Sequence, residues 1–191
     1  MPTPENTKKT KQPDWVRVVM QRETRAWIDG LEPDTLDAFE ISGHEWGRRP
    51  FKTYSNAFYP DFDICAGAPD GKFDLIIAEQ VWEHLRYPHR AAQNVLSALR
   101  PGGYFLITVP CLIRVHPTPD DCSRWTAQGL RYFLEEAGFD PAAIRTDQWG
   151  NKQCVIENLE KWPRYNAQEH SLENDPLYPV VAWALARRPV N

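Results

Sequence analysis

Two segments of this chain concentrate side chains that can move protons. One is the pair Glu83-His84, which follows the apolar run Phe73–Ala78; the other is His116-Pro117-Thr118-Pro119-Asp120-Asp121-Cys122-Ser123-Arg124-Trp125. Imidazole has an ordinary pKa near neutrality, so His84 and His116 are the candidate catalytic groups, as acceptors of a proton from a bound molecule. Asp121 and Arg124 offer opposite charges and Trp125 a flat wall, which makes them candidate substrate-binding residues. Trp149, just before Gly150, is a fourth, closing a crevice from the opposite side. Each has a plainer alternative: Glu83-His84 shaping a turn, Asp121 and Arg124 pairing only to fix their loop, Trp149 filling a core. Cys111, His116, Asp120, Asp121 and Cys122 are all ligand types, but their spacing matches no zinc pattern, and no metal is expected.

These residues need a frame, and the apolar pattern supplies one. Asp14 to about Ile28 has helical spacing, with Asp14 as N-cap and Gly30 as stop. Short strands are predicted from Asp37 running into Gly43, at Phe51–Ser55 and at Phe62–Ala66. Phe73–Ala78 is a continuous apolar run, the mark of a strand buried on both faces. A helix over 88–99 follows, then Pro101-Gly102-Gly103 and a second buried strand, Tyr104–Val109. Strand, helix, glycine turn and strand form a βαβ unit, which requires a parallel sheet. The loop 111–125 then leads into a helix begun by Thr126 and ended by Gly138. A strand at 143–149, a helical stretch at 155–162 and a last strand at 179–186 complete the pattern. Residues 1–12 read as a flexible N-terminal arm and 13–191 as a single α/β domain.

Composition narrows the classes. With 22 basic and 26 acidic residues the net charge is −4, which argues against a nonspecific nucleic-acid binder. No apolar run is long enough to span a membrane, and no signal-peptide pattern opens the chain, so a cytoplasmic setting with four free thiols is expected. The 17 prolines in 191 residues, against a usual share of about 5%, imply many loops. The Trp-rich first helix and the tail after Trp162 offer surfaces for a homodimer.

FDLIIAEQVWEHL (73–85), RPGGYFLITVP (100–110) and HPTPDDCSRWTAQGLRYFLEEAGF (116–139) together resemble class I S-adenosylmethionine-dependent methyltransferases acting on small molecules. The resemblance runs from about Asp37 to Phe139. It implies a Rossmann-like, mostly parallel α/β sheet with helices on both faces and a ligand crevice beyond the strand C-termini. It implies S-adenosylmethionine as cofactor, with Glu40, Ser42 and Gly43 at its amino-acid end, Asp63 and Ile64 on the adenine side, and Glu79 and Gln80 beside its methionine part. The implied reaction is methyl transfer to oxygen or nitrogen of a small-molecule acceptor. Two departures stand out. The family's turn of acid-x-Gly-x-Gly-x-Gly reads Glu40-Ile41-Ser42-Gly43-His44-Glu45-Trp46 here, and its glycine positions hold Ser42, His44 and Trp46. The stretches Gly43–Phe51 and Ser55–Phe62 are too short for ordinary crossover helices, so these are shortened or missing. They sustain an alternative: a relative that keeps the fold as a binding or interaction module, or uses the cofactor otherwise.

Overall fold

The computed structural model describes residues 12–190, so the arm proposed at 1–12 lies, Gln12 apart, outside the described residues. Six strands form one sheet: β1 (Asp37–Ile41), β2 (Thr53–Ala57), β3 (Phe73–Glu79), β4 (Leu99–Pro110), β5 (Ile144–Trp149) and β6 (Val181–Arg187). Their spatial order is β2-β1-β3-β4-β6-β5. The first four are mutually parallel, while β6 runs antiparallel to both β4 and β5.

Side chains alternate across the sheet with the period of two that a pleated strand imposes. Phe39, Ile76, Ala78, Phe105, Ile107 and Ala184 face one side. There they meet Ala91, Ala92 and Val95 of α2 (Pro88–Ala98), and Leu130, Phe133 and Leu134 of α3 (Ala127–Glu136). Ala38, Leu75, Ile77, Leu106, Trp183 and Leu185 face the other side. Against them pack Trp15, Val19, Met20, Trp27 and Ile28 of α1 (Trp15–Asp29), and Cys154 of α4 (Lys152–Glu160). Helices therefore cover both faces, as the pattern predicts.

Three details depart from the sequence expectation and one bears it out. Residues 62–66 form turns instead of a strand: Asp63 Oδ1 accepts from the Cys65 amide at 2.8 Å, a local bond that competes with a ladder. Asp14 does not cap α1 with its side chain; Oδ1 instead pairs with Arg164 at 3.0 Å. The Pro-Gly-Gly segment is a bulge inside β4 and not its prelude, since Phe73 pairs with Leu99 and Leu75 with Tyr104. A Cβ at Gly103 would lie 3.0–3.2 Å from the carbonyl oxygens of Arg100, Asp74 and Phe73, so only glycine lets the two strands meet there. Finally, the link from β1 to β2 holds one short 3-10 turn (Glu45–Arg48), and that from β2 to β3 holds no helix. The first two crossovers are reduced as expected.

Candidate functional site

The C-terminal ends of β1, β3 and β4 lie side by side. At the end of β1, Glu40 is 2% exposed. Its Oε2 accepts from the Tyr54 hydroxyl at 2.6 Å and from the Trp46 amide at 3.1 Å. Burial, with the neighbouring Glu79 carboxylate, holds the Glu40 pKa above the ordinary range against the lowering effect of those donors. Ser42 follows in left-handed conformation (φ 54°), and Asn56 Nδ2 donates to the Gly43 carbonyl at 2.7 Å. A Cβ on Gly43 would fall 2.0 Å from Glu40 Oε1, so glycine is needed here to admit the carboxylate.

Trp46, 3% exposed, bridges two strand ends. Its amide is on Glu40, and its Nε1 donates to Glu79 Oε2 at 3.1 Å at the end of β3. Glu79 also accepts from Arg17 (3.2 Å) and Gln21 (3.0 Å) of α1. The carboxylates of Glu40 and Glu79 are thus both occupied by the chain's own donors. With the Trp46 indole spanning these ends, a cofactor held at the β1 turn as the family holds it would have to displace these internal donors. Asp63 is exposed and caps its own turn, with Ile64 buried in the core beneath.

The open space lies one strand further along. A cleft of about 430 Å³ sits over the ends of β3, β4 and β6, lined by Arg17, Gln80, Glu83, His84, His116 and Val181 among others. Gln80 is left-handed (φ 58°), and its backbone and side-chain nitrogens both donate to Thr108 Oγ1 at 3.1 Å. A 3-10 turn (Trp82–His84) then presents Glu83 and His84. The loop 111–125 is tied to this turn. The amides of Cys122 and Ser123 donate to the Glu83 carbonyl at 2.7 and 3.3 Å, and His84 Nδ1 is hydrogen-bonded to the Asp120 carbonyl. A carbonyl only accepts, so in neutral His84 the proton sits on Nδ1 and Nε2 carries the lone pair.

The structure brings His84 and His116 together, their rings edge to face with centroids 5.0 Å apart. Burial and the neighbouring His84 hold the His116 pKa below the usual imidazole value, so its neutral, proton-accepting form persists at neutral pH. Glu83 is 1% exposed, and burial raises its pKa to about 7.

Asp121 and Arg124 are not among the cleft-lining residues: they form a two-pronged ion pair, with Arg124 Nη2 on Asp121 Oδ2 at 2.6 Å. Asp121 Oδ2 also accepts the His116 amide at 2.8 Å, so the pair sets the backbone that carries His116. The Arg124 guanidinium holds the Asp121 pKa at about 2. Trp125 packs at a tilt against Phe133 of α3 (ring centroids 5.7 Å apart), and Trp149 is a core residue 2% exposed, its Nε1 donating to the Leu172 carbonyl at 3.0 Å. Neither forms a wall of the cleft. Arg17, Trp162 and Arg164 line it unforeseen. Arg17 sits on the first helix with no local motif around it, and the other two arrive from beyond α4.

No helix among the described residues is long and apolar enough to cross a membrane. The family model described as "Methyltransferase domain" matches residues 15–144. A Mycolicibacterium smegmatis protein described as a probable S-adenosylmethionine-dependent methyltransferase is 33% identical over 96 residues, covering 44% of this chain and 37% of the relative; the chain thus spans little more than a third of that curated relative. Among solved structures, the cyclase SpnF superposes with a TM-score of 0.60 at 16% identity (96% of this chain, 86% of that one). An Archaeoglobus fulgidus S-adenosylmethionine-dependent methyltransferase gives 0.57 at 12% identity (90% and 94%). A Haemonchus contortus phosphoethanolamine N-methyltransferase in complex with S-adenosylhomocysteine gives 0.58 at 10% (88% and 52%). At such identities the structural likeness speaks for the fold, and the family match decides membership. The chain belongs to the methyltransferase-domain family, whose cofactor is S-adenosylmethionine.

Proposed function

We propose that the protein transfers a methyl group from S-adenosylmethionine to oxygen or nitrogen of a small molecule seated in the cleft over β3, β4 and β6. The observation that carries this reading is the meeting of His84 and His116 in a cleft at the carboxyl ends of parallel strands, where α/β sheets place their ligands. Its volume of about 430 Å³ lies toward the lower end of small-molecule sites, which favours a small acceptor. The cofactor's contribution is an electrophilic sulfonium methyl. The chain's contribution is positioning, with His116 as the neutral base for an acceptor proton and His84 beside it, oriented by Asp120. Asp121 and Arg124 are positioning residues acting through His116.

The test is calorimetric titration with S-adenosylmethionine and its demethylated product, followed by a screen for methyl transfer to small hydroxyl- and amine-bearing compounds. Absence of binding by both at millimolar concentration would sink the reading. A His116→Ala variant that binds cofactor normally and turns over at the parental rate would remove His116 from catalysis.

A second reading has its own support in the closed β1 turn, where Trp46, Tyr54, Arg17 and Gln21 satisfy Glu40 and Glu79. Here the chain keeps the fold as a binding module or turns the cofactor to other chemistry. Failure of the same titration would favour the binding module; cofactor binding without methyl transfer would favour the other chemistry.

A further inference from the structure

Glu83, His84 and His116 all line the cleft, each with one donor atom, and the three atoms lie within 4.8 Å of one another. Two features of this group are unexplained by the fold. The first is Glu83. Its Oε2 is fully buried and has no hydrogen-bond partner. A buried carboxylate oxygen without a donor is costly. Arg124 and Arg17 offset its charge only from a distance, because their direct ion pairs are with Asp121 and Glu79. The second is His84. Its Nδ1 is fixed on the Asp120 carbonyl, so the lone pair on Nε2 lies free 3.8 Å from Glu83 Oε1. A ring nitrogen anchored on a carbonyl while the other is free is the usual posture of a metal-ligating histidine.

We infer that Glu83, His84 and His116 form a site for one divalent transition-metal ion, with its open coordination positions facing the cleft. Two imidazoles and one carboxylate suit zinc, cobalt, manganese or ferrous iron, whereas magnesium and calcium prefer oxygen ligands throughout. Bonds of about 2.1 Å to tetrahedral zinc place ligand atoms about 3.4 Å apart. The group must therefore draw in by about an ångström, which side-chain rotation of His116 on its loop supplies. The ion would give the buried Glu83 carboxylate the positive partner it lacks. The ligands come from two distant segments, one of them a contiguous Glu-His pair, so no spacing rule flags them.

The site also deepens the proposed function, and this part rests on that reading. A hydroxyl oxygen bound at an open position would lose its proton to solvent at a lower pH than the free group. Hydroxyl-bearing acceptors would then be preferred over amines, and His116 would serve as ligand instead of base.

The test needs neither cofactor nor acceptor. Tag-free protein stripped with a chelator is titrated with Zn²⁺ alone and, separately, with Co²⁺ alone. The expected result is one equivalent bound at micromolar concentration or below, with visible absorption bands for the cobalt form. His116→Ala and Glu83→Gln should each weaken binding at least 100-fold, while circular dichroism shows both folded. Should Glu83→Gln fail to fold, His116→Ala on the partly exposed loop 111–125 decides alone. No binding at millimolar metal, or unchanged affinity in His116→Ala, overturns the site. Because cofactor titration is run without metal, loss of the metal site leaves the methyl-transfer reading standing, and the reverse also holds.

Discussion

Burial of Glu83 makes a quantitative prediction. Its carboxyl is 1% exposed, and its pKa rises from an ordinary 4.5 to about 7, chiefly through desolvation. The folded protein therefore holds this proton more tightly than the unfolded chain. Stability must fall as pH rises from about 4.5 to about 7, where only the folded state is protonated, and the penalty is complete above 7. The gap between 4.5 and 7 corresponds to about 3 kcal/mol. Glu83→Gln keeps the shape and removes the ionisation. Urea denaturation in the presence of a chelator should then show the variant about 3 kcal/mol more stable than the parent at pH 8, and within about 0.5 kcal/mol of it at pH 4.5. A difference that does not change with pH, or a variant less stable at pH 8, would refute the claim that an uncompensated charge sits in this turn.

Other expectations follow from the β1 turn and the loop. Trp46→Ala should cost roughly 3–5 kcal/mol in chemical denaturation, as for a buried aromatic side chain. It should also tighten S-adenosylmethionine at least tenfold by calorimetry, and an unchanged or weakened affinity would show that the indole does not obstruct the cofactor. Gly43→Ala pushes a Cβ into Glu40, and the loss of the buried bonds to Tyr54 and Trp46 should destabilise by roughly 2 kcal/mol or more. A melting temperature equal to the parent's would contradict this. The Arg124 ion pair keeps the folded pKa of Asp121 at about 2, so its stabilisation is present above the ordinary carboxylate range and disappears as pH falls toward 2. Asp121→Asn should therefore lower stability and speed proteolysis of loop 111–125 at pH 7, with the stability difference vanishing at the acid limit.

Much of the frame is legible in the sequence because it follows from periodicity. The run Phe73–Ala78 and the segment after Gly103 are strands buried on both faces, and the helix between them is fixed by its alanines and Val95. Both connections too short for helices are also visible there. What local pattern does not reveal is partnership across distance. Residues 62–66 have strand-like composition, yet the Asp63 side chain turns them. Trp46 looks like an obstacle in a glycine position, but its partner Glu79 lies in another strand. His84 and His116 can be singled out one by one, while their contact needs the Glu83 carbonyl to dock loop 111–125. Asp121 and Arg124 carry the right charges for a ligand and spend them on each other.

The position of β6 has a consequence for how the chain is made. It lies between β4 and β5, pairing with both, although β5 precedes it in sequence. Among the described residues β5 hydrogen-bonds to no other strand. A growing chain that has reached α4 therefore holds β5 without a partner and leaves one edge of β4 open, apolar and ready to pair with a stranger. Both hazards end together when residues 181–187 slide between the two strands. Synthesis that pauses before that segment should produce an aggregation-prone intermediate, and removal of the segment should abolish the sheet's far side, not merely trim it.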